Sequence, residues 1–323
     1  APMTVLCKTS KIEVLQTIPK EESLMLNEPT LPAGDTQFDS LLPPLRLNRR
    51  GFLATGSAVG FALAAGPLNA QTIRTPADGL DVADLKIPTS DGREMPGYMA
   101  APAAKRRYAT IIVIPEVFGM HEYQKDICRR LAKVGYAAVT LDPFFRIGDL
   151  AKMPEIKEVI ANANKLEDKV MLADLDSLVA FIEKQPKVNI AKLGITGMCR
   201  GGRTVWMYTA HSKKIKAGVS WYGGIHGMPP GSQSPSPVDA AKSLNAPVLG
   251  LYAGADAGIP TNLVAQVQES LAQGNANSKA SRFILYPNVP HAFHADYRPT
   301  YRKAEADDGW QKMLEWFRQH GVA

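Results

Sequence analysis

The stretch LGITGMCRGGRTVWMY, residues 193 to 208, sets Cys199 among three glycines, Gly197, Gly201 and Gly202. The pattern G-x-C-x-G-G has the spacing of a nucleophile turned out between a strand and a helix, with sulfur where a hydroxyl is more usual. Small neighbours are needed because the nucleophile's backbone is strained and the helix packs close against the strand. A helix starting at Arg200 aims its free N–H groups and positive end at the sulfur, which favours a thiolate and later an oxyanion. The competing reading of a free cysteine is a small buried hydrophobe. Cys128, inside the helical apolar pattern of Ile127 and Leu131, is read that way.

Three further residues follow apolar runs that read as strands: Glu116 after TIIVIP, Asp256 after PVLGLYAGA and His291 after FILYPNVP. The order nucleophile, acid, histidine is the chain order of the α/β-hydrolase arrangement. In this reading His291 accepts the thiol proton and returns it to the leaving group, and Asp256 holds the imidazole in the required tautomer. His294 is the local rival to His291, and GADAG leaves Asp256 a second reading as a turn residue. His121, His211, His226 and His320 are read as surface or loop residues.

These residues need a sheet that brings strand ends together. From about residue 80, short apolar runs alternate with stretches of helical period, which predicts one α/β domain with a mostly parallel, doubly wound sheet and helices on both faces. LDVADLKIP and EMPGYMAAP read as an opening hairpin around Ser90, Asp91 and Gly92. YATIIVIPE, YAAVTLDPFF and KLGITGM read as buried strands, followed by strand-plus-loop units at KAGVSWYGG, APVLGLYAGAD and SRFILYPNVPHAF. The helical stretches are YQKDICRRLAKVGY, MLADLDSLVAFIEKQ and a terminal EADDGWQKMLEWFRQH.

The segments PEVFG, LDPFFR, GMCRGG and PHAF, distributed in order over residues 80 to 320, resemble the dienelactone hydrolase (carboxymethylenebutenolidase) family. The resemblance implies an α/β-hydrolase fold with a Cys-His-Asp triad of Cys199, His291 and Asp256. It implies hydrolysis of a small ester or enol-lactone through a thioester. Glu116 corresponds to the carboxylate that faces the resting thiol and takes its proton when substrate binds; the plainer reading is a salt bridge to a nearby arginine. The oxyanion hole is expected from the backbone N–H groups of Val117 and Arg200. Arg146 matches a position that binds the substrate carboxylate, for which a bidentate guanidinium is suited. The family's second arginine and a neighbouring serine are replaced by Ala295 and Ala292, with Arg298 as a candidate substitute. Phe118, Trp221 and Tyr222 are candidates for the acyl pocket, with core packing as the alternative.

The 323 residues, 45% hydrophobic and 21% charged, suit a soluble globular chain, and three cysteines cannot form a disulfide framework. Residues 1–70 read as an N-terminal extension and residues 71–323 as the hydrolase domain. Arg49 and Arg50, followed by Phe52 and Leu53 and by no charged residue until Arg74, resemble a twin-arginine export signal, with Ala70 as a cleavage point and a periplasmic destination. The alternative is an uncleaved membrane anchor. Residues 1–70 carry six basic and six acidic side chains, so the net +6 belongs to the domain, where a mild positive field would favour an anionic substrate. No basic run interleaved with aromatics suggests nucleic acid, and no metal-ligand spacing or phosphate loop suggests a cofactor. The expected partners are a small ester or lactone and the export machinery. The rival to an enzyme is a non-catalytic binding protein on the same scaffold.

Overall fold

The structure, a computed structural model, describes residues 73–225, 227 and 235–323. The twin-arginine segment around Arg49 and Arg50, the cleavage point at Ala70, and His226 lie outside the described residues. Among the described residues no helix is long and apolar enough to cross a membrane.

Eight strands form one sheet: β1 (Leu80–Pro88), β2 (Glu94–Pro102), β3 (Tyr108–Ile114), β4 (Ala137–Leu141), β5 (Val188–Met198), β6 (Ile215–Trp221), β7 (Val248–Ala253) and β8 (Arg282–Tyr286). Their order is β1-β2-β4-β3-β5-β6-β7-β8. The expected hairpin is present: β1 and β2 pair antiparallel around Gly92, whose φ of +80° is one that glycine adopts without steric cost. β2 also pairs antiparallel with β4, and from β4 to β8 every pairing is parallel. The mostly parallel doubly wound sheet is therefore as the sequence predicts.

Parallel strands covered on both faces should be apolar throughout rather than alternating. Every residue of β3, YATIIVI, and of β7, VLGLYA, is buried. The helices are α1 (Glu122–Lys133), α2 (Ile156–Ala163), α3 (Asp168–Ile182), α4 (Arg200–His211), α5 (Pro237–Ala240), α6 (Thr261–Gln273), α7 (Ala276–Ala280) and α8 (Lys303–Gln319). α1 buries Ile127, Cys128 and Leu131 on one face. α8 buries Met313, Leu314, Trp316 and Phe317. Burial raises the Cys128 thiol far above the usual cysteine range, so this sulfur is inert packing. The connection between β7 and β8, to which the sequence reading assigns no element, contains α6 and α7. α6 buries only Val264, Val267, Ser270 and Leu271, a narrow apolar stripe that gives a weak periodic signal.

Since β3, β5, β6, β7 and β8 are parallel neighbours, their carboxyl ends share one edge of the sheet. Ligands bind at such edges in open α/β sheets.

Candidate active site

The loop after β5 is the tightest part of the fold. Cys199 sits between β5 and α4 with φ 53° and ψ −117°, a left-handed conformation that costs a non-glycine residue free energy. It is held from both sides, its N–H donating to the Trp221 carbonyl at 3.0 Å and its carbonyl accepting from Arg203 N–H at 3.1 Å. The glycines are sterically required. A Cβ on Gly197 would lie 2.5 Å from the Gly201 backbone, and one on Gly202 would lie 2.6 Å from the Trp221 carbonyl oxygen. A Cβ on Gly201 would meet the Pro115 oxygen at 2.6 Å and the Ile114 oxygen closer still.

Arg200 opens α4 directly after Cys199, so its N–H has no partner within the helix. Among the described backbone hydrogen bonds neither it nor Val117 N–H is committed. The Arg200 side chain turns away, donating from Nη2 to the Leu166 carbonyl at 2.8 Å. Burial, with Arg203 nearby and Asp168 opposing, brings its guanidinium down to about 10.

His291 and Asp256 meet across the ends of β7 and β8. His291 Nδ1 lies 2.5 Å from Asp256 Oδ2, with both side chains almost wholly buried. The other carboxylate oxygen, Oδ1, accepts from the backbone N–H groups of Gly258 at 2.9 Å and Ile259 at 3.2 Å. One Asp256 oxygen thus accepts from the turn and the other faces the imidazole. Burial pulls the imidazole pKa down, but the charge of Asp256 and then the Cys199 sulfur more than offset it, placing it at about 10. His291 Nε2 is buried without a hydrogen-bond partner.

His294 faces a different set of partners. Its Nδ1 lies 2.5 Å from the Tyr123 hydroxyl, and its ring packs 4.4 Å from Trp221 and 5.9 Å from Trp310. Burial, reinforced by Arg130, lowers it to about 3, so it is a neutral packing histidine.

Glu116, fully buried after β3, lies among three side chains from two loop segments. The Tyr297 hydroxyl donates to its Oε1, His121 Nε2 is 3.5 Å from that same oxygen, and Arg298 Nη1 is 3.9 Å from Oε2. His121, read from sequence as a surface or loop residue, does lie in the loop ahead of α1, at its N-cap, but its side chain is mostly buried and its ring stands edge-on to Tyr297 at 5.3 Å. Tyr297 escaped sequence reading altogether. The one available signal was its place beside Arg298, on the segment that carries His291.

Among the described residues no group of His, Cys, Asp and Glu is arranged to hold a metal ion.

A family model described as the dienelactone hydrolase family matches residues 95–321, which span the elbow and the loops of Glu116, Asp256 and His291. The chain belongs to the dienelactone hydrolase family. With that family it is a hydrolase of carboxylic esters and lactones. It is 46% identical over 293 residues to a "Putative carboxymethylenebutenolidase" of Methylorubrum extorquens, covering 90% of this chain and 99% of that one. A protein of the same description from Escherichia coli is 42% identical over 83% of this chain and 98% of its own length. Among solved structures, a "Putative Dienelactone Hydrolase" from Klebsiella pneumoniae superposes with a TM-score of 0.70 at 40% identity, covering 74% of this chain and 99% of that one.

Against the family resemblance, the expected substrate residues divide. Arg146 is occupied elsewhere: it donates to Asp174 at 2.6 and 2.7 Å and to Asp91 at 2.8 and 3.2 Å. Those bonds commit four of the five N–H donors of a guanidinium. The structure brings Arg298, and not Arg146, to Glu116; Arg298 also lies 5.9 Å from the Phe118 ring centroid. Tyr222 stands edge-on to His291 at 5.0 Å with its buried hydroxyl unpartnered. Trp221 packs beneath α8, where a Cβ on Gly309 would come within 2.7 Å of its ring, and its Nε1 donates to Thr196 at 3.2 Å. Its ring is fully buried in this packing.

Proposed function

We propose that this hydrolase cleaves a small ester or enol-lactone with Cys199 as nucleophile, His291 and Asp256 as its partners, and a thioester acyl-enzyme as intermediate. The observation that carries the reading is the imidazole of His291, fixed by Asp256 on one side and drawn toward protonation by Asp256 and the Cys199 sulfur.

The Asp256 charge draws the His291 imidazole toward its protonated form, and by the family resemblance Glu116 is the acceptor for the thiol proton. Glu116 takes that proton as substrate enters, and the thiolate, paired with the imidazolium, attacks the carbonyl carbon. The tetrahedral oxyanion is received by the N–H groups of Val117 and Arg200, donors of a kind worth about 10²- to 10³-fold in rate. The carbon–oxygen bond of the leaving group breaks, the alkoxide takes the proton of His291, and the thioester remains. Neutral His291 then removes a proton from water, whose oxygen attacks the thioester. The carbon–sulfur bond breaks and the thiolate recovers its proton from Glu116. The balance is one ester and one water to one acid and one alcohol.

Steady-state hydrolysis of a short-chain aryl ester beside a cis- or trans-dienelactone, with the Cys199→Ala variant in parallel, tests this reading. Turnover by the wild type and none by the variant is expected; retained turnover in the variant refutes it.

Export is proposed on the sequence alone, from Arg49, Arg50 and the uncharged run that follows them. The mass of the protein from its native compartment checks it: a start near Gln71 agrees, and a full-length membrane-bound form does not.

A further inference from the structure

We propose that Tyr297 is a positioning residue for Glu116, holding one carboxylate oxygen so that the other, Oε2, receives the thiol proton. The inference rests on the proposed role of Glu116 as acceptor of that proton.

The two oxygens of Glu116 are not equivalent. Oε1 accepts from the Tyr297 hydroxyl and has His121 Nε2 at 3.5 Å. Oε2 is buried with no hydrogen-bond partner, and its nearest cation, Arg298 Nη1, stands at 3.9 Å, beyond hydrogen-bond reach. An ionised carboxylate has about four lone-pair sites, and a buried one without donors is costly. The arrangement supplies that compensation to one edge and leaves the other open to take a proton. The elbow packs directly on the strand end that leads into Glu116, since a Cβ on Gly201 would meet the Pro115 oxygen at 2.6 Å and the Ile114 oxygen closer still, which sets the Cys199 and Glu116 loops side by side.

The ring of Tyr297 is itself fixed. It stands edge-on to His121 at 5.3 Å and to Tyr123 at 5.2 Å, and Tyr123 is held by His294. Tyr297 and Arg298 lie on the segment that begins with His291 and folds back by the Ala295 N–H to Ala292 carbonyl bond at 3.0 Å and the Arg298 N–H to Ala295 carbonyl bond at 2.9 Å. One segment therefore carries both the imidazole that serves the leaving group and the hydroxyl that orients the thiol's proton acceptor.

The test separates acylation from deacylation, because only acylation draws on the free carboxylate. In single-turnover experiments with an aryl ester, Tyr297→Phe should slow acylation about 10- to 100-fold, the range of a hydrogen bond to a charged group. Deacylation of the accumulated thioester and the melting temperature should stay near wild type. In a Glu116→Gln background the same change should add less than about twofold. Tyr297→His, which keeps a ring and an N–H donor, should recover part of the loss and keeps the test open if the phenylalanine variant does not fold. Equal loss of acylation, deacylation and melting temperature, or equal loss in the Phe and His variants, overturns the proposal. Unchanged acylation in Tyr297→Phe while Glu116→Gln is slow also overturns it and leaves the role of Glu116 standing. Wild-type acylation in Glu116→Gln removes the reading of Glu116, and the proposal with it.

Discussion

His291 Nδ1 and Asp256 Oδ2 lie 2.5 Å apart, and both groups are buried at the ends of neighbouring strands. A hydrogen bond between the Ala255 N–H and the Val289 carbonyl, at 3.0 Å, ties the two loops together one and two residues away. The pair is thus built by the sheet, with no flexible segment between its members.

Asp256→Asn keeps the shape but removes the charge that raises His291. The imidazole then loses its proton at neutral pH and turns to the other tautomer. A fall in kcat of at least about 100-fold is expected. The direct check is an NMR titration of the His291 ring, whose inflection moves from about 10 toward the ordinary histidine value. The same shift has a stability consequence of known sign. Because the folded value is raised, stabilisation from this group is present below the unfolded value of about 6.5 and is lost as pH rises through about 10.

Gly201→Ala tests the elbow. The added Cβ would press on two successive carbonyl oxygens, of Ile114 and Pro115, on the strand end that carries Glu116. Backbone on both sides leaves no flexible group to yield, so a loss of about 2–4 kcal/mol in unfolding free energy is expected, read by chemical denaturation. Hydrolysis should fall with it, since the neighbours of Gly201 include the Arg200 N–H and the Val117 loop.

Arg146→Ala separates a structural from a substrate role. Asp174 is buried, and loss of its guanidinium leaves an uncompensated charge, costing up to about 3 kcal/mol. A lower melting temperature is expected, with the KM for a carboxylate-bearing lactone changed less than about threefold. A large rise in that KM at unchanged stability would return Arg146 to the substrate.

His294 sets a limit on acid stability. Burial and Arg130 hold it at about 3 when folded, so protonation favours the unfolded chain. Its contribution is present above pH 6.5 and is lost progressively as pH falls toward 3, with an upper bound of about 5 kcal/mol. Melting temperatures of the wild type and His294→Gln across that window check it; the variant should show the shallower slope.

The parallel strands were legible because full burial writes an unbroken apolar run, as in YATIIVI, and the elbow was legible because close packing at Cys199 admits glycine alone. α6 was not, because its buried stripe is too narrow to write a strong period. The surroundings of Glu116 were hidden for another reason. Tyr297 and Arg298 meet a residue far from them in sequence, and nothing in local spacing reports which distant carboxylate a tyrosine will face. Arg146 shows the converse, since its position in LDPFFR is unchanged while its donors are taken by Asp91 and Asp174.

The central claim is the covalent one. An aryl ester mixed with excess enzyme, quenched in acid before turnover is complete and digested, should give a peptide containing Cys199 that carries the acyl mass as a hydroxylamine-labile thioester, and Cys199→Ala should give none. Acylation at another residue, or hydrolysis by Cys199→Ala at the wild-type rate, would contradict the account.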